Sequence, residues 1–292
     1  MSTKHIVVTG SNRGIGLGII QLLAKTQHQP PLTIHATSRS GTDLGIPTSH
    51  NNVIRYSKLD IGDKQSITSF LETTSKDGQN IDVLINNSGV NNNNNETPEL
   101  ATQTIDVNYR GTRSMCKMFL DHGGMAQNKG ARIVNVSSTA CQLNNYAPSV
   151  QERFRAVKSL SDVDALADSY LSAVQGGNTA QQDAGWGSGA KSYQVSKALI
   201  NALTVVLAQQ NPDVLVNCCC PGWVDTDMGH QIGRPPKTLE EGARVPVRLA
   251  IGELGSAGDQ DGNLGKGSER VSGRYFGNDG VSDRGWGQAR EW

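Results

Sequence analysis

Short β-branched runs alternate along the chain with stretches that place an apolar residue every three or four positions. His5-Ile6-Val7-Val8-Thr9 is the first such run and predicts a strand buried on both faces. Thr33–Thr37, Val53–Asp60, Ile81–Ile85, Arg132–Ser138 and Val214–Cys220 repeat the signal, and Arg274-Tyr275-Phe276 adds a short last strand. Helical spacing fills the intervals: Leu17, Ile19, Ile20, Leu22 and Leu23 after the first strand, and Ile67, Phe70 and Leu71 from about Asp63. A third helical pattern runs from Thr104 through Met115, Met118 and Phe119, and a fourth from Lys197 to Ala208 without Gly or Pro. Strand and helix in alternation predict an α/β fold: a doubly wound parallel sheet of about seven strands, Rossmann-type, forming one domain over 1–292.

Residues 139–192 break that rhythm. Ser161-Asp162-Val163-Asp164 reads as a helix start, and Val163, Leu166, Ala167, Tyr170, Leu171 and Val174 then form one apolar face. We expect a helical insertion packed on the same domain, closing in the glycine-rich stretch 176–189. The Asn91–Asn95 tract predicts a solvated loop without chemistry, and 252–273, dense in Gly, a flexible loop.

Composition narrows the class. The 292 residues carry 27 basic and 27 acidic side chains and no basic block, which argues against nucleic acid or an anionic membrane as partner. Cys116, Cys141 and Cys218-Cys219-Cys220 are odd in number and partly adjacent, a pattern suited neither to a disulfide framework nor to a metal site. From Met1 the chain goes almost directly into Ile6-Val7-Val8, leaving no room for a secretory signal, and no apolar run reaches the ~20 residues that span a bilayer. A soluble cytoplasmic protein is the expectation.

Gly10-Ser11-Asn12-Arg13-Gly14-Ile15-Gly16 stands between the first strand and the first helix. That order forms a phosphate cradle, with a tight turn, a close backbone approach and a helix N-terminus facing a pyrophosphate. Where an NAD site usually carries a carboxylate at the second strand end, this chain has Ser38-Arg39-Ser40; with Arg13 in the turn, two guanidinium groups suit a 2′-phosphate and hence NADP(H). Tyr193 and Lys197 share a helix face one turn apart. An ammonium held beside a phenol lowers its pKa, and a tyrosine tuned in that way serves as a general acid/base. Asn108 is polar among buried neighbours and needs a hydrogen-bond partner; Ser137-Ser138 sit at a strand's carboxyl end, where ligands of open α/β sheets bind.

Thr9-Gly10-x-x-x-Gly14-x-Gly16, Asn86-Asn87-Ser88-Gly89, Asn108-x-x-Gly111, Ser137-Ser138, Tyr193-x-x-x-Lys197 and Pro221-Gly222 occur in the order of the short-chain dehydrogenase/reductase family, which the chain resembles over nearly its whole length. Ser88 departs from the family's usual Ala. The long insertion, the stretch Cys219-Cys220-Pro221-Gly222-Trp223-Val224 and the terminal Glu291-Trp292 are similar to the monomeric NADPH-dependent carbonyl reductase branch. The resemblance implies a monomer acting on a small-molecule carbonyl substrate, with Ser138 holding the carbonyl oxygen and Tyr193 donating the proton. It further implies that Lys197 lowers the tyrosine pKa and binds the nicotinamide ribose, while Asn108 anchors a water relay. Gly10, Asn12, Arg13, Gly14, Ile15 and Gly16 would line the pyrophosphate site. Arg39 would meet the 2′-phosphate, Asp60 and Ile61 the adenine, and Asn87 and Gly89 the adenosine ribose side. Pro221, Gly222, Val224 and Thr226 would border the nicotinamide, and Trp223 the substrate pocket. Two alternatives stay open: a reductase dedicated to one bulky intermediate, and an NADPH-binding regulator without turnover.

Overall fold

Alternation along each predicted strand turns out to sort side chains between two cores. Val7, Leu84 and Ile133 point into one; Ile6, Val8, Val83, Ile85 and Val134 point into the other. The computed structural model describes residues 3–75, 80–252, 271–278 and 280–292. Its strands are β1 (Lys4–Thr9), β2 (Leu32–Ser38), β3 (Val53–Lys58), β4 (Val83–Asn86), β5 (Arg132–Val136), β6 (Leu215–Cys220), β7 (Tyr275–Gly277) and β8 (Gln288–Arg290). They make one sheet in the order β3-β2-β1-β4-β5-β6-β7-β8, parallel throughout except that β8 returns antiparallel to β7. The strand order reverses between β1 and β4, which opens a crevice at their carboxyl ends. An eighth strand lies beyond the expected seven.

The helices are α1 (Gly14–Lys25), α2 (Lys64–Ser75), α3 (Pro98–Ile105), α4 (Thr112–Asp121), α5 (Pro148–Arg155), α6 (Leu160–Gln175), α7 (Gly177–Asp183), α8 (Ser192–Gln210), α9 (Asp227–His230) and α10 (Leu239–Ile251). Ile19 and Leu23 of α1 and Val245 and Leu249 of α10 cover one face of the sheet. Residues of α2, α4, α6 and α8 cover the other, among them Phe70, Phe119, Val163 and Leu203. Each such side chain, fully buried, contributes roughly 1.5–3 kcal/mol.

Three departures from the sequence expectation have physical causes. The helical pattern from Thr104 to Phe119 is not one α-helix: Asp106–Gly111 widens into a π-helical turn between α3 and α4. Part of the glycine-rich stretch 176–189 is helical as α7, begun at Gly177, whose φ of +85° only glycine adopts freely. Helix α10 is the third; Thr238 and Glu241 cap it reciprocally, and Pro246 lies inside it without ending it. The insertion is otherwise helical as expected, and Ser159 with Asp162 forms a capping box that starts α6 one residue before the predicted site. Of the loop expected at 252–273, residues 253–270 lie outside the described residues.

Candidate active site

The glycine turn leaves β1 at Thr9 and becomes α1 at Gly14, with Gly10 at φ +64° and Gly14 at φ +54°. A Cβ at Gly16 would lie against the Gly10 carbonyl oxygen and 2.6 Å from the Asn87 amide nitrogen. Two neighbours fix the turn. Ser11 donates to the Thr37 carbonyl through its backbone N–H (3.0 Å) and its hydroxyl (3.1 Å). Asn87 donates its side-chain amide to the carbonyls of Thr9 (2.9 Å) and Gly10 (3.2 Å). Leu17 is the first α1 residue whose N–H finds an acceptor one turn back, Arg13 O at 3.2 Å, so the amides of Gly14, Ile15 and Gly16 face out of the helix start.

Asn12 and Arg13 are exposed at the same place. Arg13 pairs with Asp227 at 3.1 Å, an exposed pair worth little in stability. Thr226 caps α9 by accepting from Gly229 N (2.9 Å), and its methyl group lies 3.3 Å from where a Gly14 Cβ would be. Thus the segment after β6 meets the glycine turn across the crevice. Arg39 and Asp60 lie just past the ends of the paired strands β2 and β3, and Thr37, two residues before Arg39, accepts from Ser11 of the turn. Arg39 is exposed, Asp60 accepts from Gly62 N (2.9 Å), and Ile61 is buried against Gly111.

Beyond β4 and β5, the predicted polar residues converge. Lys197 Nζ lies 5.6 Å from the Tyr193 ring centroid and donates to Val136 O at 2.8 Å. Ser138, one residue further along from Ser137, hydrogen-bonds with the Tyr193 phenol and accepts from Ala140 N at 3.2 Å. Ser137 turns the other way and donates to Lys197 O at 3.3 Å. Asn108, fully buried in the π turn, holds Val90 at both ends: its Oδ1 accepts from Val90 N (2.8 Å) and its Nδ2 donates to Val90 O (2.9 Å). The same Nδ2 donates to Ser196 Oγ at 2.9 Å, tying the turn to α8. Between Asn108 and Lys197 lies Gly89, where a Cβ would stand 3.2 Å from Asn108 Oδ1 and 3.7 Å from Lys197 Nζ.

After β6, Pro221 is buried and Gly222 takes φ +87°; a Cβ there would press on the Lys237 ammonium and lie 2.5 Å from Asn278 O. Val224 bridges Lys237, and Trp223 donates its indole N–H to Gly229 O at 2.9 Å.

One expectation needs correction. The ammonium does not leave Tyr193 acidic: burial pushes the phenol up to about 12, with the Ser138 hydroxyl pulling it down and the thiols of Cys220 and Cys141 adding to the rise. Burial also lowers Lys197 to about 8, opposed by the same two thiols and Cys219, so desolvation is the largest influence on both groups. At neutral pH the tyrosine therefore keeps its proton. A protonated phenol and a serine hydroxyl that meet beside a buried lysine can hold an oxygen on which negative charge develops, and protonate it.

The Asn91–Asn95 tract corrects a second expectation. Asn93–Asn95 is a short 3-10 turn, and Asn93 and Glu96 both bond to the start of α8. Their partners lie about a hundred positions away in the chain, so no local pattern announces them. The five cysteines are buried and none of them is in a disulfide.

Residues 4–150 match the family model described as short chain dehydrogenase. The chain is 31% identical over 282 residues to (+)-neomenthol dehydrogenase of Arabidopsis thaliana, covering 85% of this chain and 91% of that protein. It is 33% identical over 266 residues to carbonyl reductase (NADPH) 3 of Mus musculus, again covering 85% and 91%. Among solved structures, salutaridine reductase from Papaver somniferum superposes with a TM-score of 0.71 at 25% identity, covering 93% of this chain and 99% of that one.

Proposed function

The chain belongs to the short-chain dehydrogenase/reductase family, in its carbonyl reductase branch, and from that premise we propose that it reduces a ketone or aldehyde to an alcohol with NADPH. The observation that carries the proposal is that Asn108 and Lys197 flank Gly89, with Tyr193 beside Lys197 and Ser138 beside Tyr193, next to a glycine turn too tight for side chains. The turn fits a dinucleotide, since its free α1 amides would receive the pyrophosphate and the Gly16 position has no space for a methyl group. Arg39 and Arg13, with Ser38 and Ser40 where a carboxylate would serve NAD, favour the 2′-phosphate form. Relatives that carry NADPH in their names support the same choice.

When bound, the reduced nicotinamide supplies the hydride. This chain's residues do the rest. Ser138 holds the carbonyl oxygen, and Tyr193 transfers its phenolic proton to that oxygen as charge develops there. A phenol held at about 12 stays protonated in the cell and is still far more acidic than the alcohol being formed, which suits reduction. Lys197 holds the ribose side and Val136 O; Asn108 keeps the Gly89–Val90 bend against α8, with one lone pair of Oδ1 left for a water relay. Trp223 walls the substrate side, and the insertion, packed through α6 on α3 and α8, favours a monomer.

Purified protein with NADPH and a panel of activated ketones, quinones and isatin-like compounds tests this. Wild type consumes NADPH, and Tyr193→Phe loses about 10²–10⁴-fold in kcat while still binding the dinucleotide. Arg39→Ala weakens NADPH binding by about tenfold or more and leaves NADH binding unchanged. Equal rates for wild type and Tyr193→Phe would falsify the assignment.

A further inference from the structure

We propose that Asn93 and Glu96 are positioning residues for Tyr193: the asparagine-rich turn after β4 supplies, from outside the helix, the cap that sets where α8 begins. The proposal rests on the reductase function above and adds two residues that no motif contains.

A helix begins with backbone N–H groups that have no partner within it, and a Ser, Thr, Asp or Asn at the cap position usually takes one of them. In α8 that position holds Lys191, at φ −134° and ψ −2°, and its side chain makes no cap bond. It could not: an ammonium donates only, and a cation is misplaced at a helix N-terminus. Acceptors come from the other loop instead. Glu96 accepts from Lys191 N through Oε1 (3.1 Å), and from Ser192 N (2.9 Å) and the Ser192 hydroxyl through Oε2. Asn93 Oδ1 accepts from Tyr193 N (3.2 Å) and from the Ser192 hydroxyl (3.3 Å), while its Nδ2 donates to Gln194 Oε1 (2.6 Å). Three consecutive amides are satisfied in this way, and the third belongs to Tyr193 itself.

The placement divides the helix. From Val195 to Leu207, α8 is held by a nearly unbroken run of buried residues and needs no cap to exist. Tyr193 lies in the first turn, ahead of that run; Lys197 lies within it. The cap therefore governs where the phenol stands relative to Lys197 and Ser138, and leaves the lysine and the glycine turn in place. Its carboxylate also opposes the helix field that would favour a phenolate. Among the described residues, the titratable groups bearing on Tyr193 are Lys197 on its own helix, Cys141 after β5 and Cys220 at the end of β6. Facing Glu96 is Tyr170 of α6, whose hydroxyl donates to Oε1 at 3.4 Å, while Lys191 meets it through its backbone N–H alone.

The test compares Glu96→Ala, Glu96→Gln and Asn93→Ala by steady-state kinetics, NADPH titration, pH profile and amide hydrogen exchange. Glu96→Ala lowers kcat by about 10–100-fold, as expected for a reacting group displaced by about an ångström, while NADPH affinity stays within about twofold. Glu96→Gln, which keeps an acceptor and drops the charge, recovers most of kcat at pH 7. It also moves the alkaline limb of the kcat profile down by about half a pH unit, because losing an anion makes the phenolate easier to form. Exchange at residues 191–193 speeds up in both alanine variants and not in the body of α8. The proposal is overturned if Glu96→Ala keeps kcat within twofold. It is equally overturned if kcat and NADPH affinity fall together with uniformly faster exchange, the mark of a merely structural role. Should wild type reduce no carbonyl, the reductase function fails by itself. The cap is then judged by exchange and by the ultraviolet titration of Tyr193, taken as the difference from Tyr193→Phe, in which Glu96→Gln must lower the midpoint.

Discussion

Burial moves Tyr193 and Lys197 in opposite directions, and each shift leaves its own mark on stability. Folded Lys197 titrates near 8 against an ordinary 10.5, so between those pH values the unfolded chain binds a proton that the folded chain does not, and stability rises with pH. Below pH 8 both states are protonated and the cost of the buried ammonium is present in full. Tyr193 acts oppositely: with a folded value of about 12 against 10.0, the unfolded chain loses its proton first above pH 10, and stability then falls. Measured from pH 7 to 10, the urea midpoint of Lys197→Met should exceed that of wild type at pH 7, and the gap should narrow above pH 8 as the wild-type ammonium gives up its proton. Asn108, Ser138, Tyr193 and Lys197 could be singled out as candidates, because proton transfer demands particular side chains at particular spacings. The tyrosine's acidity was not legible. Spacing shows that an ammonium is near, whereas desolvation depends on what the rest of the fold packs around both groups. Glu96 escaped for a related reason, since a cap supplied from another loop leaves no trace near the helix it serves.

Elements divide along similar lines. Strands β1, β2, β4, β5 and β6 were readable because a short apolar run suits a strand buried on both faces; β3, at the sheet margin, has no fully buried residue. Strand β8 is three exposed residues and carries no pattern. Helix α10 was there to be found in Thr238-x-x-Glu241, but Pro246 in its middle argues locally against a helix. Packing overrides that preference: α10 lies so close to α1 that a Cβ at Gly18 would come within 2.5 Å of Leu239 O. The glycine turn is equally tight. Gly16→Ala drives a methyl group into the Gly10 carbonyl and the Asn87 amide, which must then let go of the turn. Fluorescence titration should show NADPH affinity reduced by about tenfold or more, since misplacing backbone donors at the pyrophosphate loses charge-assisted hydrogen bonds.

Across the whole molecule, the insertion is held by rings. Trp186, fully buried, meets Tyr146, Phe154 and Tyr170 edge-on at centroid separations of 5.7, 6.1 and 5.4 Å. Tyr109 Oη, in the π turn, reaches Asp164 of α6 at 2.7 Å, and Arg110 bridges to Asp168 at 2.6 Å, joining the insertion to the helix that carries Asn108. Trp186→Ala should cost about 3–5 kcal/mol in urea unfolding, the usual range for emptying a buried aromatic site, while dinucleotide binding by the folded protein persists. Among the described residues no helix is long and apolar enough to cross a membrane. Net charge at pH 7 is formally zero, so copies of this protein meet without long-range repulsion, and open sheet margins would be where they adhere. Strand β3 turns Arg55 and Lys58 to solvent on one margin, and β8 does the same with Gln288 and Arg290 on the other. A second chain adding itself there would have to strip water from these polar and charged side chains, which discourages pairing along either rim.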